Sequence, residues 1–431
     1  MARSLLRAGI TLRRRLENGK SLWQLKLPRS DDARSELEEP GGPVRVPKAL
    51  ASLLAAHVRH GAFEPVATLR TRRAGVRVLD GERRVADVTV DKVDVLDAGR
   101  AAGGFVELEV ELVDGDEADL DRLGRRLRRA GATASNGVPK LYRVLEPPRM
   151  SEPPADASLR EHLRHLLATQ LAEIEAHDPG VRLGEDQEDV HRFRVATRRT
   201  RALVRATGPL LSDTLVPLGE ELRWLGGVLG PVRDLDVLLE HLREEVATLD
   251  SDDRDGRDLL RALESEREEA RRHLLEALAS PRYRALLDTF ATAIASLPRL
   301  PKGRTADALA QEAFRRLGRA VEKLPREPSD HELHRVRIKA KRARYAAELA
   351  ALGGGSAAKR AVDELKRVQD VIGEHQDAVV AEERLRALAG ARTAVAAGRL
   401  IERERERRRT MRAAYPDALA RALRAGQKAF G

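Results

Sequence analysis

An α+β domain followed by an all-α domain that carries one helical unit twice is the architecture this 431-residue chain predicts. Three observations carry that expectation. Apolar residues alternate with period 2 through the first third, a proline-dense stretch lies near residue 150, and beyond it a 3.6-residue period repeats at an offset of 143 residues. The length alone asks for at least two folded units, at ~100–200 residues per domain. A hydrophobic share of 42% with charged residues at 34% suits folded domains rather than disorder. No apolar run reaches the ~18 residues of a membrane span, and Arg13, Arg14 and Arg15 arrive before a signal-peptide core could form. A soluble, unexported chain without a membrane partner is expected. The absence of cysteine excludes disulfides, thiolate metal sites and a cysteine nucleophile, in keeping with a reducing cytoplasm.

In chain order, the strand-like segments are Thr11–Leu16, Leu22–Leu27, Val66–Arg72, Val85–Val95 and Phe105–Leu112, separated by Gly, Asp and Pro signals. Helical intervals fall at Pro47–His60 and at Leu120–Ala130, the latter stopped by Gly131. Domain one therefore covers residues 1–146, and a proline-rich linker follows over 147–157, where neither helix nor central strand tolerates the prolines. From 158 to 431 the pattern is helical, and Ser158 with Glu161 has capping-box spacing. The repeat aligns His191-Arg192-Phe193-Arg194-Val195 on His334-Arg335-Val336-Arg337-Ile338 and runs without a gap through Gly230 on Gly373 and Asp234 on Asp377. Repeat 1 spans about 158–300 and repeat 2 about 301–431, each a small bundle, since a lone helix pair could not bury its apolar stripe.

The net charge of +10 is spread over the chain, with 28 Lys and Arg against 22 Asp and Glu in residues 1–150 and 51 against 47 beyond. Position matters more than sum. At 100° per residue His191, Arg194, Arg198, Arg201 and Arg205 fall within roughly an 80° sector, with Phe193, Ala196, Leu203 and Leu211 opposite. The stripe is roughly 21 Å long, a length suited to an extended polyanion. Arginine forks bind phosphoryl oxygens in pairs, and histidine adds a charge that follows pH. His334, Arg337, Lys341 and Arg344 repeat the stripe, with Glu348 where Arg205 stood. A solvated polar face would explain one such run; the same spacing twice favours one ligand surface.

Arg233 and His375 are candidate additional ligands, while Asp234 and Asp377 read as structural acceptors or as groups orienting the neighbouring basic residues. The mixed run Arg403–Arg412, with Glu402, Glu404 and Glu406, reads as a solvated helix. In the first domain, Arg13 and Arg15 share a strand face, as do Arg70 and Arg72, and Glu107, Glu109 and Glu111 share another. Arginines suit phosphate and such carboxylates suit a hard divalent cation, although outward charged faces alternate in the same way.

Residues 158–431 resemble the CHAD family, the conserved-histidine α-helical domain, through His191-Arg192-Phe193-Arg194-Val195-Ala196-Thr197-Arg198-Arg199, Leu229-Gly230-Pro231-Val232-Arg233-Asp234 and Ile372-Gly373-Glu374-His375-Gln376-Asp377. The resemblance implies two pseudo-symmetric four-helix bundles, inorganic polyphosphate as partner, no required cofactor, and a cytoplasmic protein recruited to polyphosphate granules. By position its ligands would be His191, Arg194, Arg198, Arg201, His334, Arg337, Lys341 and Arg344. The first third resembles a CYTH domain, a triphosphate tunnel metalloenzyme fold, through Gly9–Arg15, Trp23–Pro28, Phe105–Leu112 and Lys140-Leu141-Tyr142. That implies an antiparallel β tunnel, with triphosphate held by Arg13, Arg15, Lys26, Arg70 and Arg72 and Mg²⁺ or Mn²⁺ by Glu107, Glu109 and Glu111.

Nothing before Thr11 matches the Glu-x-Glu-x-Lys strand with which that family opens. An incomplete tunnel lacking its first strand is therefore expected, and no catalytic residue is assigned. The leading expectation is a polyphosphate-binding protein; the alternative is a metal-dependent triphosphatase whose helical part holds or localises substrate. Nonspecific nucleic-acid binding is weaker, since aromatic residues make up only 3% of the chain and few rings are present to stack bases.

Overall fold

The computed structural model describes residues 4–28, 34–135, 139–146, 150–249, 253–298 and 305–431. Its first elements are α1 (Ser4–Arg7), β1 (Thr11–Glu17), β2 (Lys20–Pro28), β3 (Arg34–Pro40) and α2 (Lys48–Leu53). There follow β4 (Thr68–Asp80), β5 (Arg83–Asp97), β6 (Arg100–Leu112), α3 (Glu117–Arg129) and α4 (Lys140–Val144). The helical part contains α5 (Leu159–Leu183), α6 (Gln187–Ala247), α7 (Asp253–Ala279), α8 (Pro281–Ala295), α9 (Ala306–Glu322), α10 (Asp330–Ala351), α11 (Ser356–Leu388) and α12 (Ala394–Phe430). An α+β region thus precedes an all-α one. Residues 147–149 of the expected linker lie outside the described residues.

Two compact units result, one of residues 1–7 and 60–149, the other of 8–59 and 150–431. The second grouping joins residues 8–59 to the helices, whereas the proline signal alone divides the chain at 147–157. Packing explains it. Ala56 is fully buried in the same core as Leu163 and Phe193, Arg59 pairs with Glu175 and lies 3.1 Å from Asp288, and Ser35 donates to Glu185 at 3.1 Å.

In the first unit β4, β5 and β6 form an open antiparallel sheet. Buried Val85, Ala86, Val88 and Val93 on the central strand supply its core, and Asp116 caps α3 in a reciprocal box with Asp119. In the second unit β1, β2 and β3 form another open antiparallel sheet. Its first hairpin turns on Asn18 and Gly19, both at positive φ (50° and 78°), the pairing a two-residue turn needs to follow strand twist. Strand β3 was not anticipated: Arg34-Ser35-Glu36-Leu37-Glu38-Glu39 has one apolar residue, and its alternation is carried by Leu37 opposite Leu25.

The first long helix starts where its capping signal places it, and a second box appears at α10. Ser158 accepts from the Glu161 amide, and Ser329 with Glu332 repeats the box at α10. Helix α6 is 61 residues long and would be about 90 Å if straight, yet Arg194 donates to the Gly230 carbonyl at 2.7 Å. Val204 likewise lies against Gly219. The chain therefore doubles back between Val204 and Gly219, giving two antiparallel arms that correspond to α10 and α11 in the second repeat.

Among the described residues, three apolar cores fill the helical part. One joins α5, both arms of α6, the end of α7 and α8 around Phe193, Tyr283 and Phe290. A second joins α9, α10, α11 and the end of α12 around Phe314 and Phe430. The third, with Leu239, Leu242, Leu263, Leu385 and Leu400, is built from α6, α7, α11 and α12 together, so both repeats contribute to it.

Candidate functional site

Phe193 and Ala196 are buried on the first arm of α6, as are Val336 and Ala340 on α10. Anchoring these faces turns the stripes away from the core at helical spacing. Arg194 leans across the second arm to the Gly230 carbonyl and reaches Asp234 at 3.0 Å. On the other repeat, Arg337 leans over Gly373. A Cβ would fall 3.5 Å from Arg194 Nη1 at Gly230 and 3.4 Å from Arg337 Nη2 at Gly373, ordinary contact distances, so each guanidinium lies directly over the matching glycine of its repeat.

The two stripes share one electrostatic environment. Burial, then the neighbouring Arg337, Arg198 and Arg194, drives the Lys341 amine down to about 7, against a smaller opposing effect of Asp377. Arg337 is destabilised as a cation by burial and by Arg198 and Arg194, with Asp377 and Asp234 opposing. His191 is held below its ordinary pKa by burial and by Arg233, with Arg198 and Arg192 adding to the effect. Among the described residues no carboxylate pairs within 4.0 Å with Arg198, Arg337 or Lys341, and the Nε atoms of Arg198 and Arg337 are buried without a hydrogen-bond partner. Such a group is unfavourable as it stands, because like charges repel in a partly desolvated place. A polyanion would relieve it.

Beyond this group the repeats differ. Arg201 lies under the field of Arg205 and Arg223 and lines with them a cavity of about 210 Å³. Arg344, its counterpart, is held by Glu348 at 2.8 Å and by Gln369 at 3.0 Å, and Glu348 also takes Arg199 at 2.9 Å. His334 is half-buried at the place equivalent to His191. His375 is buried, with Nε2 3.2 Å from Asp330 Oδ1. Two residues from Gly373, it falls on the other side of α11 from the arginine seat.

Arg223 escaped sequence reasoning, since its approach to Arg201 depends on the reversal of α6; the only available signal was the small residues Gly219 and Gly226 facing that arm. The Arg403–Arg412 run differs from a solvated helix. Glu404 is buried and pairs with His241, Arg403 pairs with Glu245, and Arg405 and Arg408 reach Glu382. These pairs tie α12 to α6 and α11.

In the first unit, strand register separates the expected tunnel residues. Arg73, Asp91 and Glu107 lie side by side across β4, β5 and β6. Glu109 shares that face, whereas Arg70 and Arg72 point to the other. Asp91 is buried and bound by Arg73 in a fork of two 2.7 Å contacts and by Lys140. Arg73 and then Lys140 hold its carboxyl down at about 2 despite burial. Glu109 contacts Arg73 at 2.7 Å and Lys140 at 3.0 Å, and Glu107 contacts Arg143 at 3.1 Å. Glu111 is exposed further along the strand. A hard cation would have to displace these bound cations to use Glu107 and Glu109. In the second unit, Arg13, Arg15 and Lys26 share one sheet face with Gln24, Glu36 and Glu38; Arg13 donates to Gln24 at 2.5 Å, Arg15 pairs with Glu17 and Lys26 with Glu36.

A family model described as the CHAD domain matches residues 165–386. The chain belongs to the CHAD family. A CYTH domain model matches residues 1–142 ahead of it, and the first-listed relatives share both regions with this CHAD protein. These are two uncharacterized proteins of Mycobacterium tuberculosis, MT2285 and Rv2226, each 32% identical over 424 residues, covering 88% of this chain and 79% of the relative. Among solved structures, the CHAD domain from the plant Ricinus communis is 26% identical with a TM-score of 0.51, covering 66% of this chain and 96% of that one. PptA from Streptomyces chartreusis is 25% identical with a TM-score of 0.50, covering 61% and 99%. Among the described residues no helix is long and apolar enough to cross a membrane.

Proposed function

We propose that this CHAD protein binds inorganic polyphosphate through the surface on which its two basic stripes meet, without a divalent metal, and that it does so in the cytoplasm at polyphosphate granules. One observation carries the reading: Arg194, Arg198, Arg337 and Lys341, drawn from both repeats, lie in one another's field, and among the described residues three of the four have no carboxylate partner within 4.0 Å. A linear polymer with one negative charge per phosphoryl unit supplies what the group lacks, and fixed guanidinium forks match its oxygens. Sequence-specific nucleic-acid reading fits less well, because the stripes carry no aromatic platform for bases. The hydrolase alternative draws no support from β6, where Glu107 and Glu109 are held by basic side chains.

Binding of long-chain polyphosphate and of double-stranded DNA, measured side by side at physiological salt with EDTA, tests this. Tight polyphosphate binding that DNA competes for poorly, and that Arg198→Glu with Arg337→Glu abolishes, is the expected result. Equal or better binding to DNA, or an undiminished affinity in the charge-reversed protein, would overturn it.

A further inference from the structure

The two stripes are equivalent in spacing but not in charge state. Repeat 1 runs on from Arg198 through Arg201 to Arg205 and is joined there by Arg223 from the returning arm. Among the described residues none of these three arginines has an ion-pair partner, and they surround a cavity of about 210 Å³ with Val204, Val216 and Glu220. Repeat 2 stops its stripe at Lys341: the next stripe position, Arg344, is bound to Glu348 at 2.8 Å and to Gln369 at 3.0 Å. Glu348 stands at the place of Arg205, and its second oxygen takes Arg199 at 2.9 Å, so one carboxylate neutralises a cation from each repeat.

We propose that Glu348 determines the path of the phosphate polymer: a bound chain runs from the Lys341 group into the Arg201, Arg205 and Arg223 cavity, and the corresponding run on repeat 2 is closed. The inference rests on the polyphosphate reading above and adds a direction and a second, peripheral phosphate site to it. A bound phosphate needs cations whose charge is not already spent on a neighbouring carboxylate, and among the described residues at the stripe positions beyond the centre it is repeat 1 that offers them, Arg344 being paired and Glu348 standing in place of Arg205.

The salt dependence of polyphosphate affinity reads the number of engaged cations, with a slope near 0.7–0.9 log units per neutralised phosphate by analogy with nucleic-acid polyanions. Arg223→Ala, an exposed side chain, should flatten the slope by about one such increment. Glu348→Ala should steepen it by at least one, as Arg344 and Arg199 are released, and adding Arg344→Ala should remove the part of that gain due to Arg344. Circular dichroism and thermal unfolding confirm that the variants are folded. An unchanged slope in both Arg223→Ala and Glu348→Ala, with the wild type binding tightly, would overturn the inference while leaving the function standing. Failure of the wild type to bind polyphosphate would instead overturn the function on which it rests.

Discussion

Replacing Lys341 by arginine should make polyphosphate binding independent of pH between 7 and 9, where the wild type loses affinity. Lys341 on α10 is faced by Arg337 on its own helix, by Arg194 and Arg198 on α6, and by Asp377 on α11, and its amine titrates at about 7 in the free protein. A polyphosphate chain laid across these cations restores the ammonium, so the complex holds more protons than the free protein above pH 7. The Lys341 contribution to affinity is then flat below pH 7 and falls by about one log unit per pH unit above it, roughly 100-fold by pH 9, within a ceiling of about 5 kcal/mol for full recovery of the ordinary lysine value of 10.5. Calorimetry at pH 8 in two buffers of different ionisation enthalpy should report close to one proton taken up per site. Arginine stays charged throughout and should take up none. His191, held below its ordinary value by burial and then by Arg233, is common to both proteins, so the difference in proton uptake between them reports Lys341. Zero proton uptake by the wild type at pH 8, with level affinity to pH 9, would refute the reasoning.

Two further outcomes concern stability. His177 lies 2.8 Å from Asp189 and 3.5 Å from Glu173; burial opposes its charge, but the two carboxylates prevail and raise its pKa to about 9. The raised value means a contribution of up to about 3 kcal/mol, fully present below pH 6.5 and lost as pH rises through 9, so His177→Gln should cost more at pH 6 than at pH 10 in urea unfolding; equal costs would count against the pairing. At Gly426 an added Cβ would fall 2.2 Å from the Phe314 ring, which itself packs on Phe430. Gly426→Ala should therefore lower stability by about 1–3 kcal/mol, read as a shift of the denaturant midpoint, without altering polyphosphate affinity.

The helical half was legible because its signals are local and repeated. Ser158 announces a helix start within three residues of sequence, and the 143-residue offset brings Gly230 onto Gly373, each of which lies under an arginine of its own stripe. What could not be read depends on contacts distant in sequence. The reversal of α6 that delivers Arg223, the capture of Arg344 by Glu348 and Gln369, and the burial of Glu404 against His241 each require knowing which helix lies next to which. Alternation identified β4 and β6 as strands but could not fix their register, and register decides that Arg73, rather than Arg70 or Arg72, faces Glu107 and Glu109.

The core made jointly by α6, α7, α11 and α12 bears on how the molecule withstands its own charge. Two sets of cations that repel each other would drift apart if each repeat were an independent body tethered by a loop. Because Leu239 and Leu242 of one repeat share a buried interior with Leu385 and Leu400 of the other, separating the repeats would wet that interior, and the repulsion acts against a fixed frame. The repeats should accordingly melt as one cooperative body, with the repulsion between the stripes borne by the shared interior.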